Sequence, residues 1–254
     1  MCMIKVRNVT IGEGIPKIIV PLVGTTDAEL LEEVHNVLEV KPDIVEWRVD
    51  TYEDVENLEK VQSTLSLLRD RLIDIPILFT FRTVNEGGKR EVPVRFYNNL
   101  LSMAIQSKLI DMVDIEFLLG DDLVKTLVSL AKQYGIYVVL SNHDFQKTPD
   151  KQELILRFRK MQELGADIPK IAVMPNSTED VITLLEATNT MNCKYADRPF
   201  ISVSMGGIGV ISRLTGEVFG SAATFVSGIQ ESAPGQPTIK DTKKVLEILH
   251  KYSR

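Results

Sequence analysis

Lys170 is the residue in this sequence whose position most strongly indicates covalent chemistry. It follows Pro169 and precedes the apolar run 171–174, so it interrupts a segment with the composition of a buried strand. Desolvation and neighbouring cations neutralise a buried lysine, and a neutral amine can attack a carbonyl carbon to form a Schiff base. The alternative is a lysine at a strand end whose amine extends to water. The spacing alone leaves both interpretations open.

His143 is the second residue with reactive potential. It lies in Ser141-Asn142-His143-Asp144, directly after the apolar run 138–140. A histidine at a strand end near a lysine would suit proton transfer near neutral pH, although a hydrogen-bonded core histidine fits the same pattern. The other two histidines, His35 and His250, lie in amphipathic patterns and are expected at the surface. No His and Cys pair has metal-ligand spacing, so the sequence predicts no metal site.

Polar and charged side chains recur at alternate positions near the ends of five predicted strands. Because successive side chains point to opposite faces of a strand, each set falls on one face. Buried charge is costly and is seldom retained for stability alone, so five such sets favour a functional site over a structural network of ion pairs. Strand by strand, the sets are Glu46, Arg48 and Asp50; Thr80 and Arg82; Asp114 and Glu116; Ser141 and His143; and Lys170.

The charged residues also indicate a class of substrate. Arg48, Arg82 and Arg213 could place cations at one rim, opposed by Glu46 and Glu86. Arginine binds carboxylates and phosphates through a forked pair of hydrogen bonds. Together with a Schiff-base lysine, these cations indicate a carbonyl compound that carries a carboxylate or a phosphate.

Three loops are rich in turn residues. The glycines at 87–88 and 206–209 are expected to serve turns, and the first βα unit does not open with a dinucleotide-binding fingerprint. The segment Ser232-Ala233-Pro234-Gly235-Gln236 follows the last predicted strand and is expected to be a mobile lid.

The elements that would position these residues follow a repeating pattern. Eight short apolar segments bounded by Gly, Pro or Asp predict strands buried on both faces, and helical patterns lie between them. Alternating β and α units over about 250 residues predict a (β/α)8 barrel, with a doubly wound open sheet as the alternative. The predicted strands are 17–24, 43–50, 76–83, 112–117, 137–144, 168–175, 200–205 and 219–226.

Helix boundaries and faces are predicted from caps and periodicity. Thr26-Asp27 and Thr178-Glu179 indicate helix starts, and Gly135 and Gly165 indicate helix ends. The residues expected on apolar helix faces are Leu30, Leu31, Val34, Val37 and Leu38; Leu123, Val124, Leu127, Leu130, Ala131 and Tyr134; Val181, Ile182 and Leu185; and Val245, Leu246, Leu249 and Tyr252.

The segments outside the eight units are few. Segments 3–9 and 10–16 predict a small hairpin outside the barrel, and no linker or repeat divides the chain. We therefore expect one (β/α)8 domain over residues 1–254.

Composition narrows the class of protein. The 254 residues are 44% hydrophobic and carry a net charge of −6, which argues against a general nucleic-acid binder. Cys2 and Cys193 are too few for a disulfide framework, and no apolar run reaches the roughly 18 residues of a membrane helix. The first residues do not form a signal-peptide pattern. A soluble cytoplasmic protein with no membrane partner is the expectation.

Seven motifs, in their order along the chain, resemble those of the type I 3-dehydroquinate dehydratases of the shikimate pathway. The resemblance covers nearly the whole chain. The motifs are Glu46-Trp47-Arg48-Val49-Asp50, Phe79-Thr80-Phe81-Arg82-Thr83, Glu86-Gly87-Gly88, Ser141-Asn142-His143-Asp144-Phe145, Gly165-Ala166-Asp167-Ile168-Pro169-Lys170-Ile171-Ala172-Val173-Met174-Pro175, Gly209-Val210-Ile211-Ser212-Arg213-Leu214 and Ser232-Ala233-Pro234-Gly235-Gln236.

The resemblance implies a fold, a reaction and a set of site residues. It implies a homodimeric (β/α)8 barrel that converts 3-dehydroquinate to 3-dehydroshikimate by syn elimination of water, with no metal or organic cofactor. It matches Lys170 to a Schiff-base lysine, His143 to a general acid and base, and Glu86 to a carboxylate that orients the histidine. It assigns six residues to substrate binding: Glu46, Arg48 and Arg82 for the hydroxyls and ring face, and Arg213, Ser232 and Gln236 for the carboxylate and closure of the site.

Two residues depart from the family pattern. Pro21 stands where many relatives have a serine, and Val203 stands where a methionine is common. These changes bear on selectivity or affinity and do not remove a catalytic group.

A class I aldolase would use the same lysine chemistry on a carbon–carbon bond, and a catalytically inactive barrel would lack Lys170 or His143.

Overall fold

The computed structural model describes residues 3–228 and 232–253. Within them, eight parallel strands form one sheet, and from one end of the sheet to the other the strands are Ala223–Phe225, Lys17–Leu22, Ile44–Arg48, Ile77–Thr80, Met112–Glu116, Tyr137–Asp144, Ile168–Val173 and Ile201–Ser204. The two end strands meet through a parallel bridge between Phe200 and Ser221, and the Ala222 amide donates to the Phe200 carbonyl at 2.8 Å. The sheet therefore closes into the predicted (β/α)8 barrel, and the open-sheet alternative is wrong.

The strands and helices alternate along the chain as the sequence predicts. The strands are β1 (Ile4–Val6), β2 (Val9–Ile11), β3 (Lys17–Leu22), β4 (Ile44–Arg48), β5 (Ile77–Thr80), β6 (Met112–Glu116), β7 (Tyr137–Asp144), β8 (Ile168–Val173), β9 (Ile201–Ser204) and β10 (Ala223–Phe225). The helices are α1 (Asp27–Val40), α2 (Leu58–Arg71), α3 (Val94–Ser107), α4 (Asp121–Tyr134), α5 (Lys151–Glu163), α6 (Thr178–Thr190), α7 (Val210–Leu214), α8 (Gly216–Phe219) and α9 (Ile239–Tyr252).

The predicted N-terminal hairpin is confirmed. Strands β1 and β2 pair antiparallel, and their buried residues Val6 and Ile11 pack against the apolar residues of the barrel interior. The hydroxyl of Tyr137, at the start of β7, donates to the Lys5 carbonyl at 3.0 Å. The hairpin thus covers the amino-terminal end of the barrel and leaves the carboxyl end open.

The barrel interior changes from apolar to polar along the strands. In five neighbouring strands an apolar inward residue is followed two positions later by a buried polar one, because both lie on the same strand face. The pairs are Ile44 and Glu46, Leu78 and Thr80, Met112 and Asp114, Val139 and Ser141, and Ile168 and Lys170. The apolar side chains fill the amino-terminal end of the barrel interior, and the polar side chains meet at its carboxyl end.

A second apolar layer between the sheet and the helices holds these strands in place. Trp47 of β4 and Phe79 of β5 are fully buried, and their rings meet edge to face with centroids 5.6 Å apart. Such aromatic pairs add stability beyond the burial of their area. The outward residues of each strand therefore anchor the strand against the helices while its inward residues face the site.

The structure corrects one strand and several helix faces. The predicted strand 219–226 begins only at Ala223, because Phe219 ends α8 and Gly220 adopts a left-handed conformation with φ of 110°. Three residues assigned to apolar faces are exposed: Leu38 at 39%, Ile182 at 51% and Tyr252 at 75%. Leu184 takes the core position of α6, since it lies three residues after the buried Val181, on the same helix face.

The predicted caps are mostly confirmed. The Thr26 hydroxyl accepts from the Glu29 amide at 3.3 Å at the start of α1, and Gly135 ends α4 with φ of 72°. Gly165, with φ of 93°, follows the last residues of α5. Helix α6 begins at Thr178, but Ser177 is its cap.

Candidate active site

All nine site residues predicted from the sequence line one cavity at the carboxyl end of the barrel. Its empty volume is about 480 Å³, part of which is open to solvent. The nine are Glu46, Arg48, Arg82, Glu86, His143, Lys170, Arg213, Ser232 and Gln236. Val203 also lines the cavity, whereas Pro21 does not.

Lys170 lies inside the barrel and does not extend to bulk water. Its side chain is 6% exposed, and Nζ lies 3.8 Å from Asp114 Oδ2 and 4.1 Å from the centroid of the Phe225 ring. Burial lowers the pKa of the lysine below its usual 10.5, against the opposing effects of Asp114 and Glu46. The lowered pKa raises the fraction of neutral amine, which is the form that attacks a carbonyl.

His143 lies on β7, the strand next to Lys170. In the parallel register, Ser141 is opposite Lys170 and His143 is opposite Ala172, so the two reactive residues are one inward position apart. Burial lowers the pKa of His143 well below 6.5, and the cations Arg82, Lys170 and Arg48 lower it further. The imidazole is therefore neutral in the free site and available as a base.

Glu86 fixes the orientation of that imidazole. Its Oε2 lies 2.9 Å from His143 Nδ1 and also accepts from the His143 backbone amide at 3.1 Å. Burial raises the pKa of Glu86 to about 8, while Arg82 and Asn142 oppose the rise. A ring held at Nδ1 presents Nε2 as its other reactive nitrogen.

The loop after β5 positions Glu86 by means of two glycines. Gly87 has φ of 84°, and a Cβ there would collide with the ring of Phe145. A Cβ on Gly88 would collide with the backbone carbonyl of Arg82. These are the turn glycines that the sequence predicts, and they let the loop pass close enough for Glu86 to reach His143.

Arg82 connects the acidic residues beneath the cavity. Its Nη2 donates to Asp114 Oδ1 at 2.8 Å, and its Nη1 donates to Glu116 Oε1 at 3.1 Å and Ser141 Oγ at 2.9 Å. Burial would lower the pKa of Arg82, but Asp114, Glu116 and Glu86 raise it above its usual value, so the guanidinium stays charged. Arg82 thus places a positive charge among these carboxylates.

The other two residues assigned to the substrate hydroxyls also have protein partners. Arg48 donates through Nε and Nη2 to both carboxylate oxygens of Asp50, at 2.8 and 2.9 Å. Glu46 Oε1 accepts from the Thr80 hydroxyl at 2.8 Å. These bonds hold the side chains at fixed positions on the cavity wall.

The segment 232–236 covers one side of the cavity. Gln236 is buried, and its Nε2 donates to Ser232 Oγ at 3.0 Å while its Oε1 accepts from the Ser232 amide at 2.9 Å. Arg213 Nη2 donates to the carbonyl of Pro234 at 3.1 Å, so the arginine and the segment are connected. Movement of this segment stays a prediction.

Several cavity residues were missed or received no role in the sequence analysis. Gly87, Phe145, Ala172, Met205, Phe225 and Ala233 complete the lining. Ala172 and Phe225 lie near the carboxyl ends of β8 and β10, and Met205 directly follows β9. Because these three residues are apolar, the sequence analysis did not mark them as site residues. Asp114 belongs to a predicted polar set, but its contact with Lys170 was not foreseen.

The other histidines lie outside the cavity. His35 is exposed, and His250 is half-buried with Nδ1 2.6 Å from Glu217 Oε1. Among residues 3–228 and 232–253, no three His, Cys, Asp or Glu side chains are placed to hold a metal ion. In the same part of the chain, every helix is too short or too polar to cross a membrane.

The pKa shifts lead to an expected pH profile. If His143 acts as a base and Lys170 as a nucleophile, both act in their neutral forms, so kcat/KM should fall as pH drops through each pKa. The limb of His143 should lie below pH 6.5 and that of Lys170 below pH 10.5, because burial lowers both pKa values. Log kcat/KM against pH should therefore have a slope of about one between the limbs and about two below them. A histidine limb above pH 6.5 would contradict the neutral-imidazole assignment.

Comparison with known proteins gives a consistent family. The family model described as type I 3-dehydroquinase matches residues 18–253. The 3-dehydroquinate dehydratase of Bacillus subtilis is 55% identical over 254 residues, which cover all of both chains. That of Bacillus velezensis is 54% identical over 252 residues, covering 99% of this chain and all of the relative.

A solved structure matches equally well in three dimensions. It is the type I 3-dehydroquinate dehydratase of Clostridium difficile, described with covalently modified comenic acid. The match has a TM-score of 0.96 at 48% identity and covers 98% of each chain. The barrel and its loops are thus those of a known enzyme fold.

Proposed function

The chain belongs to the type I 3-dehydroquinase family, and from that membership we propose a mechanism in which Lys170 binds the substrate covalently and His143 moves its protons. The chain is a hydro-lyase, a 3-dehydroquinate dehydratase of the shikimate pathway. The observation that carries the mechanism is the placement of Lys170 and His143 on neighbouring strands, both lining the same cavity.

The first step is formation of the imine. The neutral amine of Lys170 attacks the ketone carbon of 3-dehydroquinate, and loss of one water from the resulting carbinolamine leaves a protonated imine. The low pKa of the lysine supports this step because a charged ammonium has no lone pair. The positive nitrogen then acidifies the neighbouring C–H bond, since the electrons released there delocalise as an enamine.

The second step is elimination of the hydroxyl. The neutral imidazole of His143 takes the proton next to the imine, and the imidazolium so formed returns a proton to the departing hydroxyl as water. One base acting twice requires both events on one face, which gives a syn elimination. Positioned acid–base catalysis of this kind contributes roughly 10²- to 10⁴-fold. Glu86, 2.9 Å from Nδ1, holds the ring, and its ionised form, which predominates above its pKa of about 8, stabilises the imidazolium.

The substrate carboxylate is bound opposite these groups. We assign it to Arg213 together with Ser232 and Gln236, because all three line the cavity and are joined through the segment 232–236. Glu46, Arg48 and Arg82 are assigned to the hydroxyls and the ring face. Arg82 already donates to Asp114, Glu116 and Ser141, so it also organises the site for the other residues.

Replacing Arg213 with alanine should mainly weaken substrate binding. A charge-assisted hydrogen bond contributes about 1.5–3 kcal/mol, so KM should rise roughly 10- to 100-fold while kcat changes less. Steady-state kinetics with 3-dehydroquinate measure both constants. Arg198→Ala is a matched control, because Arg198 is paired with Asp197 outside the cavity. An unchanged KM for the Arg213 variant would contradict the carboxylate assignment.

The family match favours dehydration over the two competing functions. The family model that matches residues 18–253 is that of a dehydratase and does not support an aldolase function. An inactive barrel would lack the reactive pair, and both residues are in the cavity. Turnover of 3-dehydroquinate by the purified protein, followed by the absorbance of the conjugated ketone product, tests the activity, and a folded protein without turnover would contradict it.

Several expectations rest on the family membership and not on the site. We propose that the enzyme is a homodimer and that it acts in the cytoplasm on a small-molecule substrate without a metal or an organic cofactor. Light scattering of the purified protein tests the dimer. Retention of full activity after dialysis against a chelator tests the independence from metal.

A further inference from the structure

Asp114 has a carboxylate oxygen for which the described residues offer no hydrogen-bond donor. The residue lies on the inward face of β6 and is fully buried. Its Oδ1 accepts from Arg82 Nη2 at 2.8 Å and from Ser141 Oγ at 2.7 Å. Its Oδ2 is buried and unpartnered within residues 3–228 and 232–253, and it faces Lys170 Nζ at 3.8 Å.

An anchoring role for Arg82 does not explain this oxygen. Oδ1 alone accepts both bonds from Arg82 and Ser141, and a neutral amide side chain could do the same. A buried polar atom without a donor is costly, and a buried charge is more so. The arrangement suits a group whose second oxygen has its partner only when a positive charge develops opposite it.

We propose that Asp114 is the counter-ion of the imine on Lys170, holding the positive nitrogen of the covalent intermediate and so acting as a positioning residue for Lys170. This inference rests on the proposed Schiff-base function. Its orientation is fixed before substrate arrives, because Arg82 and Ser141 hold Oδ1 and thereby direct Oδ2 at Nζ. Charge stabilisation by such a preset group requires little rearrangement during the reaction.

The reaction step shows where the charge arises. The lone pair of Nζ forms the C–N bond to the ketone carbon, and the carbonyl oxygen leaves as water after it gains two protons. One comes from the amine, and the other is the net proton taken up. The nitrogen keeps its remaining hydrogen and is a cation in the imine of the substrate and again in the imine of the product, and it is neutral in the enamine between them. Asp114 takes no part in these proton transfers, and no electron is exchanged.

Other charged groups also act on Lys170, and most of them are already bonded to other side chains. The groups that shift its pKa are Asp114 on β6, Glu46 and Arg48 on β4, and Arg82 after β5, and His143 on β7 is the titratable neighbour on the other side. Glu46 Oε1 is bonded to Thr80, and Arg48 is paired with Asp50. Asp114 alone of these carboxylates forms an ion pair with Lys170 in the described residues.

Asp114→Asn is the direct test, because it keeps the size of the side chain and an acceptor for Arg82. The lysine limb of kcat/KM should move to lower pH by about one unit or more, since the carboxylate that favours the charged amine is gone. At the same time kcat should fall roughly 10- to 100-fold, because the iminium loses its counter-ion. A purely structural defect would lower activity without moving the limb in this direction.

Glu116→Gln is the matched control. It neutralises another carboxylate partner of Arg82, at 3.1 Å, but Glu116 is not among the groups that shift the pKa of Lys170. Its lysine limb should stay within about 0.3 pH units of the wild type. An equal shift in both variants would place the effect on Arg82 and overturn the proposal, and so would an Asp114→Asn enzyme with an unchanged limb and kcat. If Asp114→Asn does not fold, Asp114→Ser, which is smaller and keeps a hydroxyl, is measured in the same way.

Borohydride reduction with 3-dehydroquinate separates this inference from the function on which it rests. Wild-type protein that forms no adduct would overturn the Schiff-base mechanism and the counter-ion with it. Wild-type protein that forms the adduct, together with Asp114→Asn that behaves as the wild type in kcat and pH profile, would overturn the counter-ion alone. Adduct formation in both, with the lowered kcat and the shifted limb, supports the proposal.

Discussion

Replacing Lys170 with alanine is expected to abolish turnover of 3-dehydroquinate. The variant keeps the cavity but has no amine to form the imine, so the neighbouring C–H bond loses the electron sink that makes it acidic. Removal of a covalent nucleophile in other enzymes costs on the order of 10⁶-fold in kcat, and a loss of at least about 10⁵-fold is expected here. Steady-state rates with concentrated enzyme measure the residual activity, and circular dichroism checks the fold.

A second lysine provides the control for this experiment. Lys89 is exposed at the mouth of the barrel, where its amide donates to Asp50 Oδ2 at 3.2 Å. Lys89→Ala should keep kcat within about threefold of the wild type, as exposed substitutions usually perturb little. A Lys170→Ala enzyme with turnover close to that of Lys89→Ala would contradict the assignment of the nucleophile.

Replacing His143 with alanine should separate binding of the ketone from the chemistry that follows. Lys170 keeps its amine, so the imine still forms, but slowly, because the imidazole also assists the proton transfers of imine formation and hydrolysis. Loss of positioned acid–base catalysis should lower kcat by roughly 10²- to 10⁴-fold. A covalent adduct should accumulate during turnover, because the steps after imine formation become the slow ones. Intact-protein mass spectrometry of rapidly quenched samples detects this adduct.

His250 provides the matched control for His143. It too has Nδ1 close to a carboxylate, at 2.6 Å from Glu217, but it lies on α9 beside α8 and away from the cavity. His250→Ala should retain wild-type kcat and should not accumulate adduct. Wild-type turnover by His143→Ala would show that another group moves the protons.

The positions of the reactive residues could be read from the sequence because they depend on local periodicity. A strand places every second residue on one face, and parallel strands bring their carboxyl ends together at one edge. Polar residues at Glu46, Arg82 and His143 therefore predicted a shared site without knowledge of the strand order. The family resemblance added the roles, and the structure brings all nine residues to one cavity.

Features that depend on distant packing were not predictable in this way. Closure of the barrel rests on the bridge between Phe200 and Ser221, which lie just before β9 and β10, and the sequence does not contain the order of these strands. The Phe225 ring against Lys170 Nζ and the free oxygen of Asp114 require atoms from three strands. Burial is the main cause that raises the pKa of Glu86 to about 8, and the extent of burial depends on the whole surrounding site.

Helix faces were less predictable than strand faces for a related reason. A strand buried on both sides shows its polar exceptions clearly, whereas a surface helix carries apolar residues at the edge of its buried stripe. Leu38 and Ile182 fall beyond that edge and are exposed.

The organisation of the chain as one domain over residues 1–254 stays a prediction.

The most direct test of the central claim is the mass of the intact protein after borohydride reduction in the presence of 3-dehydroquinate, followed by peptide mapping. The Schiff-base mechanism predicts a stable adduct whose mass corresponds to the substrate or product joined through a reduced imine, located on Lys170 and absent from Lys170→Ala. A folded, active enzyme that turns over the substrate but yields no adduct, or an adduct on a different lysine, would contradict it.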